Sequence, residues 1–234
     1  MIVIIDYGMG NLRSVQKALQ RVGADAQIIA NPALLPGGSV KNVDRLILPG
    51  VGAFADCMAN LTQRRWAEPI HQFIATGRPF LGICLGLQML FDGSEEDAPS
   101  PSQLVPGLGI LPGKVVRFDP RARDGSMLKV PHMGWNTIRA TRTSDPLLRD
   151  LPAPVLSPDA VAGSVFDPDP SVYFVHSYFA QPRESPDQPI ASGVSDYGRP
   201  FCATVWRENV WATQFHPEKS QDVGMKILSN FASI

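Results

Sequence analysis

The chain has 234 residues, a formal net charge of −1 and scattered charged residues making up 18% of the sequence. That length buries one good core, so a single domain spanning residues 1–234 is expected, and the balanced charge gives no reason to expect a nucleic-acid surface. No apolar run reaches the length of a membrane span and Met1 leads directly into a strand-like run, so neither a membrane nor a secretory route is expected, and the expected compartment is the cytoplasm. Three cysteines form no pairing pattern, so disulfides are not expected; Cys57 and Cys202 read as small buried hydrophobes. No Cys/His spacing suits zinc, no metal or other cofactor is called for, and His71 reads as a surface or cap residue on a helix.

Taken in chain order, Ile2 to Ile5 is a buried strand, and Asn11 is placed to cap a helix that runs to Val22 and ends at Gly23. Ala26 to Ala30 and Arg45 to Leu48 read as strands. Gly52 to Gly77 is helical, with a break expected near Pro69. Phe80 to Ile83 is a short apolar strand, and Leu85 to Phe91 a helix. This alternation predicts a parallel, three-layer α/β sheet. Beyond Gly107 the texture changes to strands with turn signals between them: Ile110 to Phe118, Gly134 to Arg139, Val172 to His176, Ile190 to Val194, Phe201 to Trp206 and Val210 to Phe215. These are expected as antiparallel additions, with a last helix from Ser220. Asp92 to Gln103 and Leu151 to Pro170 read as surface loops without a catalytic role.

Two motifs carry chemistry. Gly82-Ile83-Cys84-Leu85-Gly86 has the layout of a nucleophile elbow, in which glycines on both sides let strand and helix pack around a strained nucleophile. The helix N-terminus favours a thiolate at Cys84. Far along the chain, Trp211 to Glu218 reads as a strand ending in His-Pro-Glu. Residues two apart on a strand share a face, so His216 and Glu218 lie side by side. A thiol, a histidine and an orienting carboxylate make an activated nucleophile.

The elbow with Gln88 and the distal His-Pro-Glu resemble the class I (triad) glutamine amidotransferases. Within that family, Asp6 to Ser14, Pro49 to Phe54, Pro131 to Asn136, Tyr173 to Tyr178 and Gln214 to Ser220 resemble the glutaminase subunits of imidazole glycerol phosphate synthases. The resemblance runs from the first strand to the last helix. Leu87 stands where the family usually has Met, and the segment from Pro152 to Pro170 is longer than usual.

The resemblance implies free glutamine as substrate, with Cys84 as nucleophile, His216 as proton donor and base, and Glu218 orienting the imidazole. It implies as partner a (β/α)8-barrel cyclase subunit, which uses the ammonia to make imidazole glycerol phosphate and aminoimidazole carboxamide ribotide in histidine biosynthesis. Trp135, Tyr173 and Lys219 are the matching candidates for the docking face, with Trp135 and Tyr173 equally readable as core aromatics. For the oxyanion, Leu85 N–H is one candidate donor. The second lies in Pro49-Gly50-Val51-Gly52, where the glycines let the Val51 peptide rotate. Gln88, one helical turn beyond Cys84, and the backbone of His176-Ser177-Tyr178 are candidates for holding glutamine; His176 is also an alternative base. Two competing readings are an amidotransferase of another pathway and an inactive binding subunit. The run Pro131 to Asn136 argues against the first, and the retained Cys84, His216 and Glu218 against the second.

Overall fold

The computed structural model describes residues 1–100, 103–151 and 170–234. The expected long loop therefore lies outside the described residues between 152 and 169. The first half alternates as expected: β1 (Ile2–Ile5), α1 (Leu12–Arg21), β2 (Ala26–Ile29), β3 (Arg45–Gly50), α2 (Phe54–Gln63), α3 (Ala67–Ile74), β4 (Phe80–Cys84) and α4 (Leu85–Gln88). Then follow β5 (Phe91–Ser94), β6 (Val105–Pro106), β7 (Leu111–Arg117), β8 (His132–Thr137), β9 (Arg139–Ala140), β10 (Ser171–His176) and β11 (Tyr178–Pro182). The chain closes with β12 (Ala191–Asp196), β13 (Pro200–Arg207), β14 (Val210–Thr213) and α5 (Gln221–Ser233).

An eight-stranded sheet in the order β2-β1-β3-β4-β14-β13-β12-β9 forms the middle layer. Strand alternation splits its apolar residues between two cores. Val3, Ile5, Leu46 and Leu48 pack with Leu61, Trp66, Ile70 and Phe73 around α2 and α3. Ile2, Ile4 and Ile47 pack with Val15 and Leu19 of α1 and with Ile227, Leu228 and Phe231 of α5. Each such fully buried side chain contributes roughly 1.5–3 kcal/mol. A four-stranded sheet, β11-β7-β5-β6, and a two-stranded ribbon, β10-β8, complete the fold.

Four expectations need correction. Val210 to Phe215 is not an antiparallel addition at its inner edge: β14 lies parallel to β4, with Thr213 opposite Ile83, and the sheet turns antiparallel only from β14 outward. The elbow helix does not reach Phe91. It stops at Gln88, because the Met89, Leu90 and Phe91 carbonyls accept from Leu108, Ile110 and Gly109 as the returning chain pairs with them. Pro69 does not break the helix; it sits in the first turn of α3, where no N–H is needed, and the break falls at Arg65, whose φ is 59°. Asn11 precedes α1 but its side chain makes no capping hydrogen bond.

Candidate active site

Cys84 ends β4 and starts α4 with φ 56° and ψ −111°, a conformation that costs of order 1–3 kcal/mol for a residue with a side chain. The strain is held by close backbone packing. A Cβ at Gly86 would lie 1.8 Å from the Leu48 carbonyl oxygen, and one at Gly82 would lie 2.7 Å from the Gly86 oxygen. Both glycines are therefore required by sterics. With only four residues, α4 has little macrodipole to offer the sulfur. The charge partner is instead His216.

His216 follows β14, and its partner is brought to it by a turn. Pro217–Lys219 is a 3₁₀ turn, so His216 and Glu218 meet across that turn and not by strand alternation. Glu218 Oε1 accepts from His216 Nδ1 at 2.9 Å, with both side chains buried. Nε2 is buried with no partner at hydrogen-bond geometry among the described residues, and the Cys84 sulfur is its neighbour in the site. Burial alone lowers the imidazole pKa; the neighbouring Cys84 sulfur and the Glu218 carboxylate outweigh it and push it up to about 10. These two neighbours favour the imidazolium form of His216.

Cys84 and His216 share a cavity of about 300 Å³ with Val51, Gly52, Leu85, Gln88, Glu96 and the run Val175 to Tyr178. The β3–β4 register sets Gly50 opposite Cys84, which brings the Pro49–Gly52 loop beside Cys84. His176 has both ring nitrogens engaged. Its Nδ1 donates to the Tyr178 carbonyl at 2.8 Å, and its Nε2 lies 3.1 Å from His132 Nδ1. Burial, first of all, pulls His176 down to about 3 and His132 to about 4, so both stay neutral. Gln88 is buried one turn from Cys84, with Nε2 donating to the Tyr178 carbonyl and to Gln214 Oε1. Its amide nitrogen is therefore engaged by the protein.

The model of the family described as glutamine amidotransferase class-I matches residues 3–234. A relative from Syntrophotalea carbinolica, imidazole glycerol phosphate synthase subunit HisH, is 51% identical over the whole of both chains. The chain belongs to the class I glutamine amidotransferases. The HisH subunit of Geobacter metallireducens is 47% identical, covering 99% of this chain and 97% of its own. Two solved structures share the fold at low identity. One, described as glutamine amidotransferase, has a TM-score of 0.64 and 18% identity, with 100% of each chain covered. The other, PurLQS from Thermotoga maritima, has a TM-score of 0.66 and 15% identity, covering 99% of this chain and 97% of that one.

Other residues of this amidotransferase bear on the site. Trp135 and Tyr173 are cross-strand partners on the β8–β10 ribbon, with ring centroids 6.0 Å apart, and Lys219 Nζ stands 5.9 Å from the Tyr173 ring. The three candidate docking residues thus form one row, with Trp135 49% exposed and Met133 beside it 62% exposed. Ser220 joins that row to His216: its hydroxyl donates to the His216 carbonyl and accepts from Tyr173 N–H. Three residues were missed in the sequence. Gln214 Nε2 approaches the Cys84 sulfur at 3.9 Å. Glu96, in a stretch expected to have no catalytic role, lines the cavity and accepts from Phe54 N–H at 2.9 Å. Ser220 is the third, and only its place directly after His-Pro-Glu-Lys could have marked it. Among the described residues no cluster of His, Cys, Asp or Glu is arranged to hold a metal ion, and no helix is long and apolar enough to cross a membrane.

Proposed function

We propose that this chain hydrolyses glutamine to glutamate and ammonia through Cys84, His216 and Glu218. It passes the ammonia to a (β/α)8-barrel cyclase subunit that makes imidazole glycerol phosphate and aminoimidazole carboxamide ribotide. Its likeness along the whole chain to HisH subunits supports a place as the glutaminase component of imidazole glycerol phosphate synthase, in histidine biosynthesis. One observation carries the reaction: a strained cysteine opens on the same cavity as a histidine whose other ring nitrogen is held by a buried carboxylate.

The Cys84 thiolate attacks the carboxamide carbon of glutamine, and the carbonyl oxygen becomes an oxyanion. His216 Nε2, protonated at rest, gives its proton to the leaving nitrogen, and ammonia departs. The γ-glutamyl thioester remains. Neutral His216 then takes a proton from water, the hydroxide attacks, and collapse releases glutamate and the thiolate. Glu218 orients the ring and stabilises its charge without taking the proton. Leu85 N–H and the Val51–Gly52 amides are the oxyanion donors. One such donor is worth on the order of 3 kcal/mol, so rotating a single peptide in the Pro49–Gly52 loop can gate the rate.

Glu96 is the carboxylate among the cavity-lining residues, besides the engaged triad, that can meet the α-ammonium of glutamine. Gln88 presents its carbonyl oxygen to the same ammonium, and the backbone of His176 to Tyr178 frames the α-carboxylate. The row Trp135, Tyr173 and Lys219 is the docking face, linked to His216 through Ser220.

The test is glutamine turnover by the chain alone and with the cyclase subunit and its nucleotide ligand. Wild type should be slow alone and strongly stimulated in complex. Cys84→Ala should abolish glutamine hydrolysis, while the complex still makes product from added ammonia. Glutaminase activity retained in pure Cys84→Ala overturns the assignment.

A further inference from the structure

Cys57 lies outside the cavity and has no part in the reaction just described, yet it grips the loop beside the nucleophile. Its sulfur lies 3.3 Å from the Val51 carbonyl oxygen, and the Tyr7 hydroxyl lies 3.5 Å from that sulfur. Both side chains are fully buried. We infer that Cys57 is a positioning residue for glutamine hydrolysis: its thiol, backed by Tyr7, fixes the plane of the Val51–Gly52 peptide and so aims Gly52 N–H at the oxyanion. The inference rests on the reading of the Pro49–Gly52 loop as a source of oxyanion donors.

A thiol has one proton and the phenol has one. Tyr7 O–H donates to the sulfur, which leaves the S–H directed at Val51 O. Burial, as the largest influence, raises both the Cys57 thiol and the Tyr7 phenol, so both keep their protons at neutral pH. The cis peptide bond in the described residues is Val130-Pro131, so the Val51–Gly52 peptide is trans, with C=O and N–H pointing opposite ways. Holding Val51 O against α2 turns Gly52 N–H away from α2. Gly52 lines the cavity with Cys84, and Cys57 does not. Gly52 has φ +99°, and a Cβ there would meet Met9 Cε at 2.8 Å; a Cβ at Gly50 would meet the Tyr7 hydroxyl at 2.8 Å. The loop is thus braced from below at both glycines. With its downstream peptide pinned by Cys57, the Gly50–Val51 peptide is the part left to rotate.

The test compares Cys57→Val, close in shape but without a donor, with Cys57→Ser, which keeps one, in the full chain assayed alone and with the cyclase subunit. Cys57→Val should lower kcat on the order of tenfold, short of the roughly hundredfold for outright loss of an oxyanion donor. KM for glutamine should stay within about twofold, because the peptide acts on the transition state. Cys57→Ser should recover most of the loss. Tyr7→Phe, which frees the thiol to turn, should fall between them and stands in if Cys57→Val fails to fold. Alkylation of Cys84 by iodoacetamide, read by mass spectrometry, should be unchanged in all variants. Equal turnover of the Val and Ser variants, or an alkylation rate falling with kcat, overturns the inference. Val51→Pro separates it from the second donor read in this loop: the proline removes the Val51 N–H and leaves the Gly52 N–H, so full activity in that variant rejects Val51 N–H alone as an oxyanion donor. Loss of turnover in Val51→Pro with a neutral Cys57→Val rejects only the role of Cys57.

Discussion

Two buried histidines line the same cavity, and they behave as opposites. His216 is 2% exposed and His176 is 6% exposed, yet the first is pushed up to about 10 and the second down to about 3. Burial penalises the cation in both. At His216 that penalty is outweighed by the Cys84 sulfur and the Glu218 carboxylate. At His176 the partners are a carbonyl and a second neutral imidazole, and the surroundings are the rings of Phe118, Phe174 and Phe201. The carbonyl of Tyr178 fixes the His176 proton on Nδ1. Its Nε2 therefore accepts from His132 Nδ1, and His132 Nε2 accepts from Asn136. Every proton in this chain is committed to structure. At His216 one nitrogen is committed to Glu218, and the other has only the Cys84 sulfur as a neighbour. The partners of the second ring nitrogen, and not the degree of burial, distinguish His216 from His176.

Substituting both histidines alike breaks the comparison most sharply. His216→Asn removes the proton donor to leaving ammonia and should lower glutamine turnover on the order of a thousandfold or more. His176→Asn should keep turnover within about tenfold while costing about 1–3 kcal/mol of stability, because buried polar groups lose their partners. Turnover and denaturant melts of both variants check this. Comparable loss of turnover in the two would dissolve the distinction.

Weakening one partner gives a smaller effect. Glu218→Gln keeps the shape but removes the charge, so the His216 pKa should fall and turnover should drop less than in His216→Asn. The pH–rate profile should show the limb assigned to the His216 imidazolium moving to lower pH. A Glu218→Gln variant more damaged than His216→Asn would reverse the roles given to the two residues.

Much of this contrast could be read in the sequence, for physical reasons. The glycines around Cys84 are dictated by backbone clashes that leave no alternative residue, so the elbow is visible locally. His216 and Glu218 are close in sequence, so any turn or strand brings them together. The His132–His176 pair depends on the β8–β10 register, which places His176 opposite His132 across 44 residues of chain; no local pattern encodes that. Glu96 was hidden for the same reason. It reaches the cavity because α4 ends after one turn and β5 redirects the chain, whereas the apolar run from Leu85 to Phe91 reads as continued helix. The parallel placement of β14 is likewise invisible, since alternation reports which face is buried and not strand direction.

The smallest effect is in stability, where the two sites should act on opposite sides of neutrality. The ordinary histidine pKa is 6.5, and His216 is raised to about 10. Between those values the folded state binds the extra proton, so its contribution is fully present below pH 6.5 and is lost as pH rises toward 10. His132 and His176 are lowered to about 4 and about 3. Below 6.5 the unfolded state binds their protons, so their contribution is present above 6.5 and is lost as pH falls toward those values. Each titrating histidine tilts stability by at most about 1.4 kcal/mol per pH unit. Urea melts of wild type, His216→Asn and His176→Asn across this range compare the two contributions, because carboxylates remote from the substituted histidine cancel in the differences, while Glu218 loses its partner in His216→Asn. His216→Asn should flatten the alkaline limb; His176→Asn should flatten the acid limb and leave the alkaline limb alone. An alkaline limb unchanged in His216→Asn would mean that its imidazole is not held charged by Cys84 and Glu218, and the proton donor in the proposed reaction would have to be found elsewhere.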